Sequence, residues 1–196
     1  MIDSNAKSKH GVPYRRNRLL KWLATTLLNI SGWKIEGEIP NEPKMVMIGA
    51  PHTSNWDFIL GLLTVWKLEL EMHWVGKHTI FIPPFRRLFA FFGGIPVNRS
   101  EPGTLFRDIL NHFERNDSFL LAMSPEGTRQ KVSRWKPGFH RIAQMAGVPV
   151  LPAGIDFATK TVQFGTIFQL TDDFDADVIE LNKFFNQFTP RHPGLG

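Results

Sequence analysis

The sequence predicts an α/β fold, a single domain in which helices flank a central mixed β-sheet. After residue 32, short runs of β-branched, aliphatic and aromatic residues alternate with longer segments whose apolar residues recur every three to four positions. No repeat, linker or low-complexity tract divides the 196 residues. We therefore expect one domain at residues 35–196, preceded by a basic tail and an amphipathic helix at residues 1–34. The absence of cysteine excludes a disulfide framework, a thiolate metal site and a cysteine nucleophile.

Each predicted element has its own local signal. The strands are short and bounded by glycine, proline or charge, and we place them at residues 33–38, 45–49, 72–76, 95–98, 119–123, 150–156 and 161–165. The helices fill the intervals, at residues 18–31, 56–70, 84–92, 104–115, 138–146 and 176–188. The helix at 104–115 is typical, because Leu105, Ile109 and Phe113 form one apolar stripe at intervals of four residues.

The net charge of +5 belongs to the N-terminal end of the chain. Residues 1–34 hold seven basic residues against Asp3 alone, which is +6, and leave −1 for residues 35–196. That near-neutral remainder argues against nucleic acid as a partner.

The predicted first helix places these apolar residues on one face: Leu19, Leu20, Leu23, Leu27 and Ile30. Its uncharged stretch of 12 residues, 22–33, is shorter than the roughly 20 needed to span a bilayer.

Two interpretations of this helix remain open at this stage. A basic amphipathic helix with flanking tryptophans is typical of a segment that lies on an anionic membrane surface. The alternative is an amphipathic helix that packs on its own domain.

A second apolar segment, residues 79–97, contains five phenylalanines together with the pairs Pro83–Pro84 and Arg86–Arg87. It either touches a membrane, forms a wall for a lipid tail or belongs to the core.

The segment at residues 50–57 contains the first candidate for chemistry. It lies where a predicted strand ends and a helix begins, which is where α/β sheets place active sites. His52 and Asp57 are separated by four residues, so the turn can bring them into contact. A carboxylate there fixes the imidazole tautomer and stabilises its protonated form, which makes His52 a candidate general base. The alternative is that Asp57 only caps the helix.

Three further segments carry polar or turn-forming residues at strand ends. Residues 124–129 read Ser-Pro-Glu-Gly-Thr-Arg directly after an apolar strand, a tight turn suited to a phosphate or polyhydroxyl group. Residues 93–99 begin with two glycines and end in Arg99, and arginine is suited to bidentate phosphate binding. Residues 148–153 form a Val- and Pro-rich strand that we expect to be core.

Together and in this order, the four segments resemble the conserved blocks of the glycerolipid acyltransferase family, over about residues 33–156. The His-X4-Asp block of that family is matched by His52 and Asp57, and the arginine that ends its second block by Arg99. Its Pro-Glu-Gly-Thr-Arg block is matched without a gap by residues 125–129, and its Val-Pro block by residues 148–152.

The resemblance implies an O-acyltransferase. Such an enzyme moves a fatty acyl chain from the thioester of acyl-CoA or acyl carrier protein to the hydroxyl of a lysophospholipid, here 1-acylglycerol-3-phosphate, and the product is phosphatidic acid. It implies that His52, oriented by Asp57, is the base. It also implies these acceptor-binding residues: Lys77, Arg99, Glu126, Gly127, Thr128 and Arg129. We expect no metal, no cofactor besides the acyl donor, and a peripheral position on the cytoplasmic face of the inner membrane.

Several departures from the family pattern leave the acceptor open. Pro51 stands where many members have asparagine, and Ser124 where many have phenylalanine. An alternative acceptor is therefore another lysolipid, such as a lyso-aminolipid. A thioesterase that uses the same pair to activate water is a second alternative, and a membrane-binding module without turnover is a third. Lys136 either meets a CoA phosphate or is an ordinary surface lysine, and we expect structural roles for His73, His112 and His140.

Overall fold

The computed structural model describes residues 11–98 and 102–194, except for the side chains of residues 102 and 104, and it has the predicted α/β architecture. The strands are β1 (Lys34–Glu36), β2 (Lys44–Ala50), β3 (Met72–Lys77), β4 (Gly94–Val97), β5 (Phe119–Met123), β6 (Val150–Asp156) and β7 (Thr161–Phe164). The helices are α1 (Arg18–Ser31), α2 (Asn55–Lys67), α3 (Phe85–Phe91), α4 (Pro102–Arg115), α5 (Gly138–Ala146) and α6 (Phe174–Phe185), with a 3-10 helix at His78–Ile80. The prediction of a mixed sheet flanked by helices is confirmed.

The seven strands form one sheet in the order β1-β7-β6-β2-β5-β3-β4. All neighbours are parallel except β6 and β7, which pair antiparallel. A short connection can join only antiparallel neighbours, whereas each parallel pair needs a long crossover that a helix supplies. The central strand β2 is buried on both faces, which explains its continuous apolar sequence.

Three helices cover each face of the sheet. Met45 and Met47 of β2 pack on one face with residues of α2, while Val46 and Ile48 pack on the other with residues of α4 and α5. This alternation follows from the two-residue period of a strand. The helices α1, α2 and α3 therefore form one layer, and α4, α5 and α6 form the layer on the opposite face.

Helix boundaries differ from the predicted ones where capping decides them. The last helix begins at Phe174, two residues before the predicted start, because the carboxylate of Asp173 accepts hydrogen bonds from the amides of Asp175 and Ala176. The helix α1, by contrast, has its predicted bounds. It begins after Asn17, whose side chain accepts from the amide of Leu20, and it ends before Gly32, which is in the left-handed conformation.

The helix α1 packs on the domain with one face and exposes another. Ala24 and Leu28 are fully buried in a cluster with Leu60 and Leu63 of α2. Four of the five residues of the predicted apolar face are exposed instead, namely Leu19, Leu23, Leu27 and Ile30. An ion pair of 2.7 Å between Lys21 and Glu69 ties the start of α1 to the end of α2. No helix within the described residues is long and apolar enough to cross a membrane.

Candidate active site

The predicted site residues gather at the edge of the sheet formed by the carboxyl ends of β2, β5 and β3. These strands are parallel neighbours, with β5 in the middle, so their following loops emerge side by side. The loop after β2 leads to α2 on one face, and the loop after β5 leads toward α5 on the other. Diverging connections of this kind leave a crevice at the strand ends, where α/β proteins bind ligands. His52 lies in the first loop and Glu126 in the second.

The imidazole of His52 faces the carboxylate of Asp57. Its Nδ1 atom lies 3.4 Å from Oδ2 of Asp57, slightly longer than a standard hydrogen bond. Asp57 is the third residue of α2, and Oδ2 also accepts hydrogen bonds of 2.7 Å from the amides of Thr53 and Ser54. The side chain of His52 is 24% exposed, whereas that of Asp57 is 3% exposed. The arrangement leaves Nε2 of His52 as the ring nitrogen that does not face the carboxylate.

Opposing effects set the ionisation of Asp57. Burial by itself would raise the pKa of this carboxyl, because it disfavours the charged form. Hydrogen bonds from His52 and Ser54 and the charge of His52 outweigh that effect and lower the pKa below its usual value. Asp57 is therefore a carboxylate at neutral pH, as an imidazole-orienting partner must be.

Glu126 links the loop after β5 to the loop that carries His52. Its Oε2 accepts a 3.0 Å hydrogen bond from the backbone amide of His52. Burial raises the pKa of Glu126, and the bond from His52 opposes this rise only in part. The carboxylate thus contacts the backbone of His52, and it does so across a sequence separation of 74 residues. The sequence predicted Glu126 as part of the acceptor pocket and did not predict this contact.

The turn at residues 124–129 is built around Gly127 and Lys136. Gly127 has a φ of +64°, a left-handed conformation that glycine adopts without strain. A Cβ atom added there would lie 2.9 Å from Cδ and 3.2 Å from Nζ of Lys136, so the lysine stem covers this glycine. The backbone amide of Lys136 donates to the carbonyl of Pro125 at 2.8 Å. Thr128 stabilises the same turn by accepting from the amide of Gln130.

Exposed cations surround the crevice. Lys77 ends β3, and Arg129 ends the turn after β5. Within the described residues, neither these two side chains nor that of Lys136 forms an ion pair. His52 follows β2 and Lys77 ends β3, the two strands on either side of β5, and these strands are roughly 10 Å apart because adjacent strands are about 4.8 Å apart. The predicted phosphate ligand Arg99 lies outside the described residues.

The C-terminal segment also reaches the candidate site, which the sequence analysis missed. The guanidinium of Arg191 lies 5.1 Å above the ring of Trp56, next to Asp57 in sequence. The amide of His192 donates to the hydroxyl of Thr53 at 3.3 Å. No local sequence signal predicts such contacts, because they join distant parts of the chain, 139 positions apart for His192 and Thr53.

A second histidine–aspartate pair is buried in the layer of α4, α5 and α6. Nε2 of His140 lies 2.9 Å from Oδ2 of Asp177, and both side chains are under 5% exposed. Asp177 also accepts from the amide and the hydroxyl of Thr171, so the pair joins α5 to the start of α6. Since both side chains are buried away from the crevice, we assign the pair a structural role, as the sequence predicted for His140.

An α/β domain with a histidine–carboxylate pair and exposed cations at the carboxyl ends of its strands is suited to proton abstraction from a substrate that carries an anionic group. The sequence model of the Acyltransferase family matches residues 33–156, and the chain belongs to that family. The crystal structure of the 1-acyl-sn-glycerophosphate (LPA) acyltransferase PlsC from Thermotoga maritima has a similar fold, with a TM-score of 0.63.

That similarity covers 87% of this chain and 76% of the Thermotoga chain, at 15% sequence identity. A comparison with curated proteins finds no match. The predicted family resemblance is confirmed, and so is the prediction of an O-acyltransferase at the level of this family.

Proposed function

We propose that this enzyme transfers a fatty acyl chain from a thioester, acyl-CoA or acyl carrier protein, to the free hydroxyl of 1-acylglycerol-3-phosphate. The observation that carries the proposal is the contact of His52 with Asp57 at the mouth of the crevice. The family is one of acyl transfer. The PlsC enzyme of similar fold is a 1-acyl-sn-glycerophosphate acyltransferase, which supports this choice of acceptor.

In the proposed reaction His52 is the general base. Nε2 takes the proton of the acceptor hydroxyl while that oxygen attacks the thioester carbonyl carbon. The carboxylate of Asp57 holds the opposite edge of the ring and stabilises the imidazolium that forms. The carbon–sulfur bond then breaks, and the leaving thiolate takes the proton from Nε2 of His52, which restores the neutral base. A thiol with a pKa of about 8.5 is a good leaving group, so transfer needs no acyl-enzyme.

The acceptor phosphate is proposed to bind the cations around the crevice. A phosphate monoester carries close to two negative charges at neutral pH, and charge-assisted hydrogen bonds from lysine and arginine match it. Lys77 and Arg129 are exposed and have no ion-pair partner among the described residues. We assign them to this phosphate together with Arg99, while Gly127 and Thr128 shape the turn that receives it.

Substituting Lys77 tests the phosphate assignment. If Lys77 contacts the acceptor phosphate, Lys77→Ala raises KM for 1-acylglycerol-3-phosphate about tenfold, which corresponds to about 1.4 kcal/mol. Lys131→Ala is the matched control, because Lys131 is an exposed lysine beyond the turn. An unchanged KM in Lys77→Ala would favour an acceptor without a phosphate clamp, such as a lyso-aminolipid.

We propose that the enzyme works at the surface of an anionic membrane, on the cytoplasmic face of the inner membrane, with α1 as a contact. The exposed face of α1 combines Leu19, Leu23 and Leu27 with basic residues nearby, a composition typical of interfacial helices. Leu23→Ser with Leu27→Ser removes the exposed apolar groups and leaves the buried face of α1 intact. We expect this variant to sediment less with anionic vesicles than the wild type.

Release of free thiol from palmitoyl-CoA tests the activity directly. The assay uses detergent–lipid micelles with and without 1-acylglycerol-3-phosphate, and it compares wild type with His52→Ala and with His192→Ala. We expect acceptor-dependent release that falls about 10²- to 10⁴-fold in His52→Ala and persists in His192→Ala. Release without acceptor would indicate a thioesterase. A His52→Ala variant that keeps more than about a tenth of the rate would contradict the base assignment.

A further inference from the structure

The layer formed by α1, α2 and α3 has a broad exposed apolar surface. We define the layer face as the exposed large apolar side chains of these helices and of the segment that joins β3 to α3. They are Leu19, Trp22, Leu23, Leu27, Ile30, Trp56, Ile59, Ile80, Ile82, Phe85, Leu88 and Phe91. Isolated apolar residues are normal on a protein surface, but a set of this size on one layer is typical of an interaction surface.

The helices of the layer are held as one unit. A cluster that includes Leu28 and Leu63 packs α1 against α2. The rings of Trp66 and Phe92 lie 5.1 Å apart and join the end of α2 to the end of α3. Arg15 donates to the carbonyl of Phe91 at 2.7 Å, and this bond joins the segment before α1 to α3. The exposed groups of α1 and α3 therefore belong to one rigid surface.

Most of the exposed charge of the same layer is positive. Residues 11–34 and 72–98 contain eight lysines and arginines and no acidic residue. Arg86 and Arg87 are both exposed in the first turn of α3. The acid within α2, Asp57, is buried. Of the two acids that follow α2, Glu69 pairs with Lys21, and Glu71 is exposed. An apolar surface with a basic border is complementary to a bilayer with anionic headgroups.

The opposite layer lacks this pattern, so it serves as an internal control. Its large exposed apolar groups are Met145 and Ile179, which are 64% and 66% exposed. Ile179 lies on α6 beside the acids of that helix, Asp175 and Glu180 among them. Asp175 pairs with Arg134 and Glu180 with Lys183, so this surface has no excess of basic charge to attract an anionic membrane.

The layer face extends to both sides of the candidate active site. Trp56, 48% exposed, directly precedes Asp57 at the start of α2. Ile80 is 41% exposed and lies three residues after Lys77, the last residue of β3. The crevice between these strand ends is therefore bordered by apolar side chains on the side of this layer.

We propose that the segment from Ile80 to Phe91 is a second bilayer contact, distinct from α1, and that the layer face lies on an anionic membrane with the crevice at its border. In this orientation a lysolipid reaches His52 while its acyl chain stays in the leaflet. Only this last statement rests on the proposed function, because membrane binding is measurable without turnover.

Vesicle sedimentation of the full chain tests the second contact. The probes are vesicles of phosphatidylcholine alone and of phosphatidylcholine with phosphatidylglycerol. Phe85→Ser with Leu88→Ser removes two exposed groups of α3, and Ile82→Ser removes one that lies outside any helix. We expect the α3 double variant to lower the partition coefficient about tenfold or more, and Ile82→Ser to lower it several-fold. Met145→Ser and Ile179→Ser are the matched controls and leave it unchanged.

The charges of α3 are tested separately. Arg86→Gln with Arg87→Gln lowers binding to the anionic vesicles, by about fivefold for each charge, and leaves binding to pure phosphatidylcholine unchanged. Thermal melting and circular dichroism of every variant verify that it is folded. If both the α3 double variant and Ile82→Ser bind both vesicles like the wild type, the second contact does not exist.

Two further outcomes separate this inference from its alternatives. If the wild type dimerises without lipid and the α3 variant is a monomer, the surface is a self-association face and the proposal is wrong. Turnover is measured in parallel with a short-chain lysophosphatidic acid below its micellar concentration. Vesicle binding that depends on α3, together with no turnover in any variant, would overturn the proposed function and leave the membrane contact standing.

Discussion

Oδ2 of Asp57 lies 3.4 Å from Nδ1 of His52 and at the same time accepts the amide hydrogens of Thr53 and Ser54 at 2.7 Å. The carboxylate thus has two contacts that sequence reasoning treated as alternatives, one with the imidazole and one with the free amides at the start of α2. The hydroxyl of Ser54 completes the cap by accepting from the amide of Trp56 at 3.1 Å. A loop that is also a helix cap is held rigidly, which the proposed role of His52 as general base requires.

The two contacts of Asp57 can be separated by substitution. Ser54→Ala removes the hydroxyl of the cap, so we expect it to lower the free energy of unfolding by about 1 kcal/mol and to change turnover only a few-fold. Asp57→Asn keeps an oxygen that can accept from the amides but removes the charge that orients and stabilises His52. We expect it to lower kcat about 10²- to 10⁴-fold with a small change in stability. Urea unfolding and thiol release measure the two effects, and equal losses of activity in both variants would contradict this division.

Glu126 is predicted to act through its hydrogen bond and not through its charge. Glu126→Gln retains an oxygen that can accept from the amide of His52, whereas Glu126→Ala does not. We therefore expect kcat to survive in Glu126→Gln and to fall in Glu126→Ala, with thiol release as the measurement. Wild-type turnover in Glu126→Ala would show that the bond does not position His52.

The raised pKa of Glu126 has a consequence for stability against pH. A carboxyl whose pKa is higher in the folded state than in the unfolded state contributes stability below the unfolded value, near pH 4.5, and this contribution is lost as pH rises through the folded value. We expect Glu126→Gln to gain stability relative to wild type between pH 4 and pH 7, as measured by urea unfolding at each pH. A difference that is constant with pH would contradict the shift.

Gly127 is predicted to tolerate no side chain. Gly127→Ala places a Cβ in a left-handed conformation, which costs about 1–2 kcal/mol, and 2.9 Å from Cδ of Lys136. Gly61→Ala is the matched control, because Gly61 lies inside α2 with nothing within 4 Å of the added atom. We expect the control to be about 0.5–1 kcal/mol more stable than wild type in thermal or urea unfolding. A neutral Gly127→Ala would mean that the turn rearranges freely.

The second histidine–aspartate pair is predicted to affect stability alone. His140→Ala leaves the buried carboxylate of Asp177 with only the bonds from Thr171, and we expect a loss of about 3 kcal/mol. The folded fraction should turn over substrate like wild type, measured below the melting temperature. A stable His140→Ala protein without activity would instead assign this pair to catalysis.

Much of the fold is predictable because its signals are local. Each strand is a short apolar run with its own boundaries, and each helix has its own periodicity, so existence and type follow from neighbouring residues. The differences between the predicted and the observed helices have two kinds of cause, local capping and contacts between residues far apart in the sequence. The helix α6 starts early because of Asp173, whereas the buried positions of α1, Ala24 and Leu28, depend on where α2 and the sheet lie.

The sequence by itself determined the alternation of strands and helices, the placement of His52 and Asp57 across a helix start, and the family to which the four ordered segments point. Only the tertiary structure decided the strand order, the bond from the amide of His52 to Glu126, and which apolar side chains remain exposed. The physical reason is the sequence separation of the residues that interact. A cap or a four-residue turn is encoded within one segment, whereas the contact of Glu126 requires β2 and β5 to pair in a register that places their ends side by side.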